Sequence, residues 1–166
     1  MSGIIPVDRM YGIGVVVSDL RAATVRLAEI FGIDRWEVRT YGDEGTSDVR
    51  SHGRPVTGAS FISAVGATTP QRPDDVPVTF ELVQPIKGES PFLEFAFTRK
   101  QGIMFQTVKV MDQAAFATLA AELAARGIDV GYSCTVDGRV RRHFIDTRKE
   151  LGGYYLEIRV PLDGSD

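Results

Sequence analysis

The sequence feature that most constrains the fold is an order of elements that occurs twice. In the first half, "MYGIGVVVSDL" alternates so that Tyr11, Ile13, Val15 and Val17 share one face, as a strand requires. Asp19 is then placed to cap a helix with Leu20, Ala23, Leu27 and Ile30 on one stripe, and Gly32 ends it. Strand-like segments follow at residues 35–41, 59–65 and 78–83. In the second half a strand over residues 102–110 leads to a helix capped by Asp112, with Phe116, Leu119, Ala120 and Leu123 on one face and Gly127 closing it. Strands at residues 129–136, 139–146 and 154–160 complete it, the first two joined by Asp137-Gly138, a strong hairpin signal. "FGID" closes one helix and "RGID" the other; "FEL" around Glu81 matches "LEI" around Glu157. The fold class is therefore α+β: two βαβββ modules, residues 8–86 and 102–162, forming a curved mixed sheet around a shared cavity in one domain spanning 1–166. Residues 87–101 link them through a short helix capped by Ser90 with Pro91 at its first position.

Two long connections interrupt this order. Residues 42–58 are polar and glycine-containing and hold "RSHGRP"; residues 66–77 carry Pro70, Pro73 and Pro77. Connections of such length are more often functional or disordered than idle.

The formal net charge of −3 argues against a nucleic-acid binder, whose phosphate contacts would need a basic stripe. The one basic cluster, Arg139, Arg141, Arg142, Arg148 and Lys149, reads as a solvated edge strand and turn or as a contact for an anionic ligand. Cys134 is the sole cysteine, so no internal disulfide forms and a buried, inert thiol is expected. The N-terminus "MSGIIPVDRM" has neither a basic start nor an apolar stretch of signal length, and no run approaches a membrane span, so a cytoplasmic placement is expected.

The stretch "ELVQPIKGESPFLEFAFTRKQGIMFQTVKV" resembles the corresponding region of methylmalonyl-CoA epimerase-like members of the vicinal oxygen chelate (glyoxalase and bleomycin-resistance) superfamily, and "HFIDTRKELGGYYLEIRVP" is similar to that branch's closing hairpin. The resemblance implies the glyoxalase-like fold, an isomerase or lyase chemistry and a homodimer. It also implies four ligand positions: a histidine opening the first strand, a glutamate or glutamine on the fourth, a histidine opening the fifth and a glutamate on the eighth. These match Tyr11, Glu81, Phe105 and Glu157. Both acids are kept and both histidines are replaced. Phe105 has no donor, and Tyr11 would have to lose its phenol proton, so no metal and no cofactor is expected.

Without a metal, Glu81 and Glu157 facing each other across an apolar cavity would raise at least one carboxyl pKa toward the acid–base range. Tyr11 and a cation would then hold the oxyanion. By strand alternation Tyr11, Thr107, Lys109 and Arg159 share the face of Phe105 and Glu157, and Tyr155 joins them. His143, His52 and Arg54 complete the candidate substrate contacts. Three readings stay open: a metal-independent proton-transfer enzyme acting on a small carbonyl or carboxylate compound, a protein that only binds a small molecule in an aromatic cavity lined by Tyr11, Phe105, Tyr155 and Trp36, and a metal enzyme with substituted ligands. Packing by Tyr11 and Phe105, and a salt-bridge network of the acids with Lys109 or Arg159, are the structural counterparts.

Overall fold

A computed structural model of the chain describes residues 3–7 and 9–162. Strand β1 (Gly12–Val16) leads into helix α1 (Leu20–Phe31), whose N-terminus is capped by the Asp19 carboxylate accepting from Ala22 N–H. Gly32, at φ 68°, turns the chain out of the helix. Then come β2 (Glu37–Tyr41), β3 (Thr46–Ser51), β4 (Arg54–Pro55), β5 (Ser60–Ala67) and β6 (Thr79–Lys87). The linker is helix α2 (Pro91–Arg99), capped by Ser90 and started by Pro91 as the sequence requires. The second module holds β7 (Gly102–Val110), α3 (Gln113–Ala124), β8 (Val130–Val136), β9 (Val140–Ile145), a single helical turn α4 (Arg148–Leu151) and β10 (Tyr155–Pro161).

Among the described residues the strands form one sheet in the order β2-β5-β6-β1-β7-β10-β9-β8-β3-β4. Each module pairs its first and last strands in parallel, β1 with β6 and β7 with β10, and the modules join through antiparallel β1 and β7. Asp137 and Gly138, at φ 51° and 64°, make the expected tight turn between β8 and β9.

The connection expected over residues 42–58 is instead a hairpin. Strand β3 leaves the edge strand β2 of one module and pairs antiparallel with the edge strand β8 of the other. In a flat sheet β2 and β3 would lie about 38 Å apart, eight strand spacings. The chain from Tyr41 to Thr46 reaches no more than about 18 Å. The sheet must therefore curl into an incomplete barrel. Arg141 fastens the hairpin, bonding the Asp48 carbonyl at 2.6 Å and its carboxylate at 2.9 Å, and the Ser133 and Thr135 hydroxyls of β8.

Helices α1 and α3 cover the outside. Ala23 and Leu27 pack with Val15, Trp36 and Leu82; Phe116, Leu119 and Leu123 pack with Ile145, Ile158 and Val160. The expected shared cavity is largely filled. Phe61, Phe92, Phe105, Tyr132, Phe144 and Tyr155 are buried together on the inner face, with Phe92 reaching in from α2. Ring centroids of Phe92 lie 5.0 Å from Phe61, 5.5 Å from Phe144 and 5.9 Å from Tyr132. Edge-to-face and tilted packing of this kind stabilises beyond the area it buries.

Candidate functional site

The two acids sit on the inner face where strand register brings them together. Gly14 lies beside Glu81 on β6 and beside Phe105 on β7; Thr107 lies beside Glu157 on β10. A side chain at position 14 would collide with the Phe105 ring, its Cβ only 2.0 to 2.3 Å from three ring carbons, so glycine there makes room for the phenylalanine.

The group between the acids is Arg142 of β9. Its Nη1 and Nη2 donate to both oxygens of Glu81 at 2.9 and 2.8 Å, and its Nε donates to Glu157 Oε1. Arg142 is 5 % exposed, Glu81 5 % and Glu157 0 %. The aromatic rings of Phe105 and Phe144 flank the guanidinium, 5.6 and 5.2 Å from its carbon. Thr107 donates its hydroxyl to Glu157 Oε2 and Ser63 donates to Glu81 Oε1 at 3.0 Å. Arg159 closes the network through Nη2 alone, 3.1 Å from Glu157 and 3.3 Å from Glu81. Every carboxylate oxygen thus has a donor, the condition under which charges can be buried.

This arrangement reverses the expected electrostatics. Burial alone would raise the Glu157 carboxyl, but Arg142 and then Arg159, with hydrogen bonds from Arg142 and Thr107, bring it down to about 2. Arg142 is pushed well above its usual range: burial opposes the charge, and Glu157 and Glu81 outweigh burial. A carboxylate with so low a pKa is ionised but weakly basic, far from the match to working pH that general-base catalysis favours.

The same geometry argues against a metal. The ion implied by the resemblance would need both carboxylates, and the guanidinium already occupies them. Among the described residues no group of three or more His, Cys, Asp or Glu side chains is placed to hold an ion. The donor set does not fit a divalent metal.

Several sequence expectations need correction. Tyr11 was matched to an inward ligand position, yet the side chain that would face Thr107 belongs to position 12, where a Cβ would lie 3.7 Å from Thr107 Oγ1. Tyr11 is one residue out of that register and lies under the Arg9 guanidinium, 4.3 Å from its carbon. Lys109 does not share the face of Thr107, because a bulge leaves Val108 unmatched and sets Lys109 opposite Ile158, which packs on the outer side. His143 also faces outward, stacked on Phe116 of α3 with centroids 3.6 Å apart. Trp36 packs under α1 on the outside and donates Nε1 to the Ile33 carbonyl. His52 and Arg54 lie on the β3–β4 hairpin, where Arg54 pairs with Glu89 at 2.5 Å. Phe105 and Tyr155 face the interior as expected, buried in the aromatic cluster, and Arg159 reaches both acids.

Arg142, the group between the acids, belongs to the basic cluster for which the sequence allows a solvated edge or an anionic-ligand contact, and neither is an ion pair with Glu81 and Glu157. Two signals would have found it: in "VRRHFI" it shares parity with inward Phe144, and two buried acids demand a buried cation.

Beside the network the inner face opens in a cleft of about 250 Å3, lined by Arg39, Tyr41, Val65, Val136, Arg139, Val140 and Arg159, with Glu81 and Arg142 at its floor. Arg39 on β2 and Asp137 in the β8–β9 turn, both lining it, form an ion pair 2.6 Å long.

No model of a protein family matches the sequence, and no curated protein matches it. Solved structures do. The methylmalonyl-CoA epimerase of Mycobacterium tuberculosis is 20% identical, aligned over 98% of this chain and 92% of its own with a TM-score of 0.61. A Streptomyces coelicolor methylmalonyl-CoA epimerase variant in complex with 2-nitronate-propionyl-CoA is 17% identical over 96% of this chain and 99% of its own, also at 0.61. A 4-hydroxymandelate synthase variant from Streptomyces coelicolor is 11% identical over 97% of this chain and 51% of its own, at 0.58. The chain shares the fold of these structures, and at these identities the likeness concerns the fold alone.

Proposed function

We propose that this glyoxalase-fold protein binds a small molecule in the cleft beside Arg159 and leaves it chemically unchanged. The observation that carries this reading is the guanidinium of Arg142 held between Glu81 and Glu157. It occupies the acids that proton transfer would use and the place a metal would take. A binding site needs only a shaped, partly apolar recess with a few convergent polar groups, which the cleft offers.

A second reading is favoured by the fold: an isomerase, epimerase or lyase acting on a carbonyl or carboxylate compound, as the structural neighbours named epimerases suggest. Under it Glu157 would have to leave Arg142 before it could accept a proton.

Methylmalonyl-CoA incubated with the purified protein in D2O distinguishes them. Proton NMR should show the C2 hydrogen exchanging no faster than without protein. Exchange that is accelerated by the protein and lost in Glu157→Gln would overturn the binding reading in favour of the enzyme.

A further inference from the structure

We infer that the cleft selects a small organic monocarboxylate with an apolar body, gripped by Arg159 and steered by Arg139. The inference rests on the binding reading above and adds the chemistry of its ligand.

Arg142 and Arg159, both lining the cleft, are held very differently. Arg142 uses Nε, Nη1 and Nη2 on its carboxylates. Among the described residues Arg159 bonds these acids through Nη2, with longer bonds, and its buried Nε has no hydrogen-bond partner. An unsatisfied buried donor is uncommon and asks for an acceptor. Its side chain is 38 % exposed and lines the cleft, so it is open to a ligand there. Arg139 lines the same recess at the exposed turn and makes no ion pair among the described residues. Two guanidiniums with donors to spare among the described residues fit a carboxylate, the planar acceptor matched to the guanidinium fork.

The remaining walls set the rest of the ligand. Val65, Val136 and Val140 are apolar, and the Tyr41 ring packs 5.1 Å from Phe61. Burial raises the Tyr41 phenol, so it stays a protonated donor. A volume of about 250 Å3 holds a molecule of benzoate or cyclohexanecarboxylate size and excludes most of a coenzyme A thioester. Glu81 and Asp137 also line the cleft but are paired with Arg142 and Arg39, so among the described residues Arg159 and Arg139 are the lining cations left to meet a ligand. The planar guanidinium fork matches a carboxylate in shape, and phenyl phosphate serves as the tetrahedral comparison.

The test is a methyl NMR titration of the full chain with benzoate, cyclohexanecarboxylate, benzamide and phenyl phosphate at millimolar concentrations. Both carboxylates should move the methyl signals of Val65, Val136 and Val140. Benzamide should bind about tenfold more weakly or worse, as loss of a charge-assisted hydrogen bond implies. Arg159→Gln should weaken benzoate about tenfold or more, Arg159→Lys less, and Arg139→Gln, at an exposed position that leaves the fold intact, should weaken it measurably. Carboxylates that leave these valines unmoved, benzamide matching benzoate, or an Arg139→Gln affinity equal to that of the parent would overturn the inference. If benzamide or phenyl phosphate moves those methyls and benzoate does not, the carboxylate inference fails while the binding reading stands. Deuterium exchange of methylmalonyl-CoA tests the binding reading separately.

Discussion

Arg142 serves two buried carboxylates at once, so its removal should be felt twice. Arg142→Met leaves Glu81 and Glu157 buried with only the partly exposed Arg159 shown bonding them among the described residues, and should destabilise the fold by about 3–5 kcal/mol in urea unfolding. Replacing Glu81, Arg142 and Glu157 together by apolar residues of similar size should recover most of that loss, because the desolvation penalty disappears with the charges. A triple variant as unstable as the single one would contradict this. His143 gives a different handle on the same strand. Burial, and then the Arg141 charge, lower its pKa from 6.5 to about 4, with only Asp48 opposing. The unfolded chain therefore binds more protons between those values, so the stability that neutral His143 contributes is present above pH 6.5 and lost as pH falls through 4. The change should be about 3 kcal/mol at most. His143→Gln should flatten the stability profile in that window; Glu157, lowered from 4.5 to about 2, acts in the lower window and should remain. These roles were only partly legible in the sequence. Parity along a regular strand placed Glu157, Arg159 and Phe105 correctly, whereas Tyr11 and Lys109 were misplaced by a register offset and a bulge that leave no mark in composition.

At the scale of elements, the strands with an apolar face were legible because burial writes an alternation into them. The β3–β4 hairpin was not, because its residues are mostly exposed and polar on an edge strand, where pairing is backbone to backbone and Arg141 supplies the anchor from another strand. The caps were read correctly from local chemistry: Asp19, Ser90 and Asp112 each accept a backbone N–H of the first helical turn. The junction between modules makes a sharper prediction. β1 and β7 pair with a register shift after Gly14, and Phe105 lies where the side chain of residue 14 would be. Gly14→Ala should cost about 1–3 kcal/mol by overpacking. In the double variant with Phe105→Leu the penalty of the alanine should shrink, because the ring atoms it would strike are gone. Thermal unfolding of the four proteins in the cycle measures the coupling, and strictly additive losses would show that the contact is not what demands glycine.

The whole molecule consists of two modules by sequence but is tied as one unit by contacts that cross between them. Glu81 of the first module bonds Arg142 of the second, β3 pairs with β8, Arg39 reaches Asp137, and Phe92 of the linker helix touches Phe61 on one side and Phe144 on the other. Residues 102–162 alone would expose the inner face of β8 to β10 and leave Arg142 and Glu157 without Glu81, so neither the aromatic cluster nor the ion network could close. That fragment should stay unfolded, and the full chain should unfold in a single transition. The molecule carries suitable reporters, since Trp36 lies in the first half and His143 in the second. Tryptophan fluorescence, the His143 ring NMR signal and far-ultraviolet circular dichroism should give coincident urea midpoints. A Trp36 transition separated from that of His143 would mean that the repeat persists as two independent folding units and that the cross-module contacts are too weak to couple them.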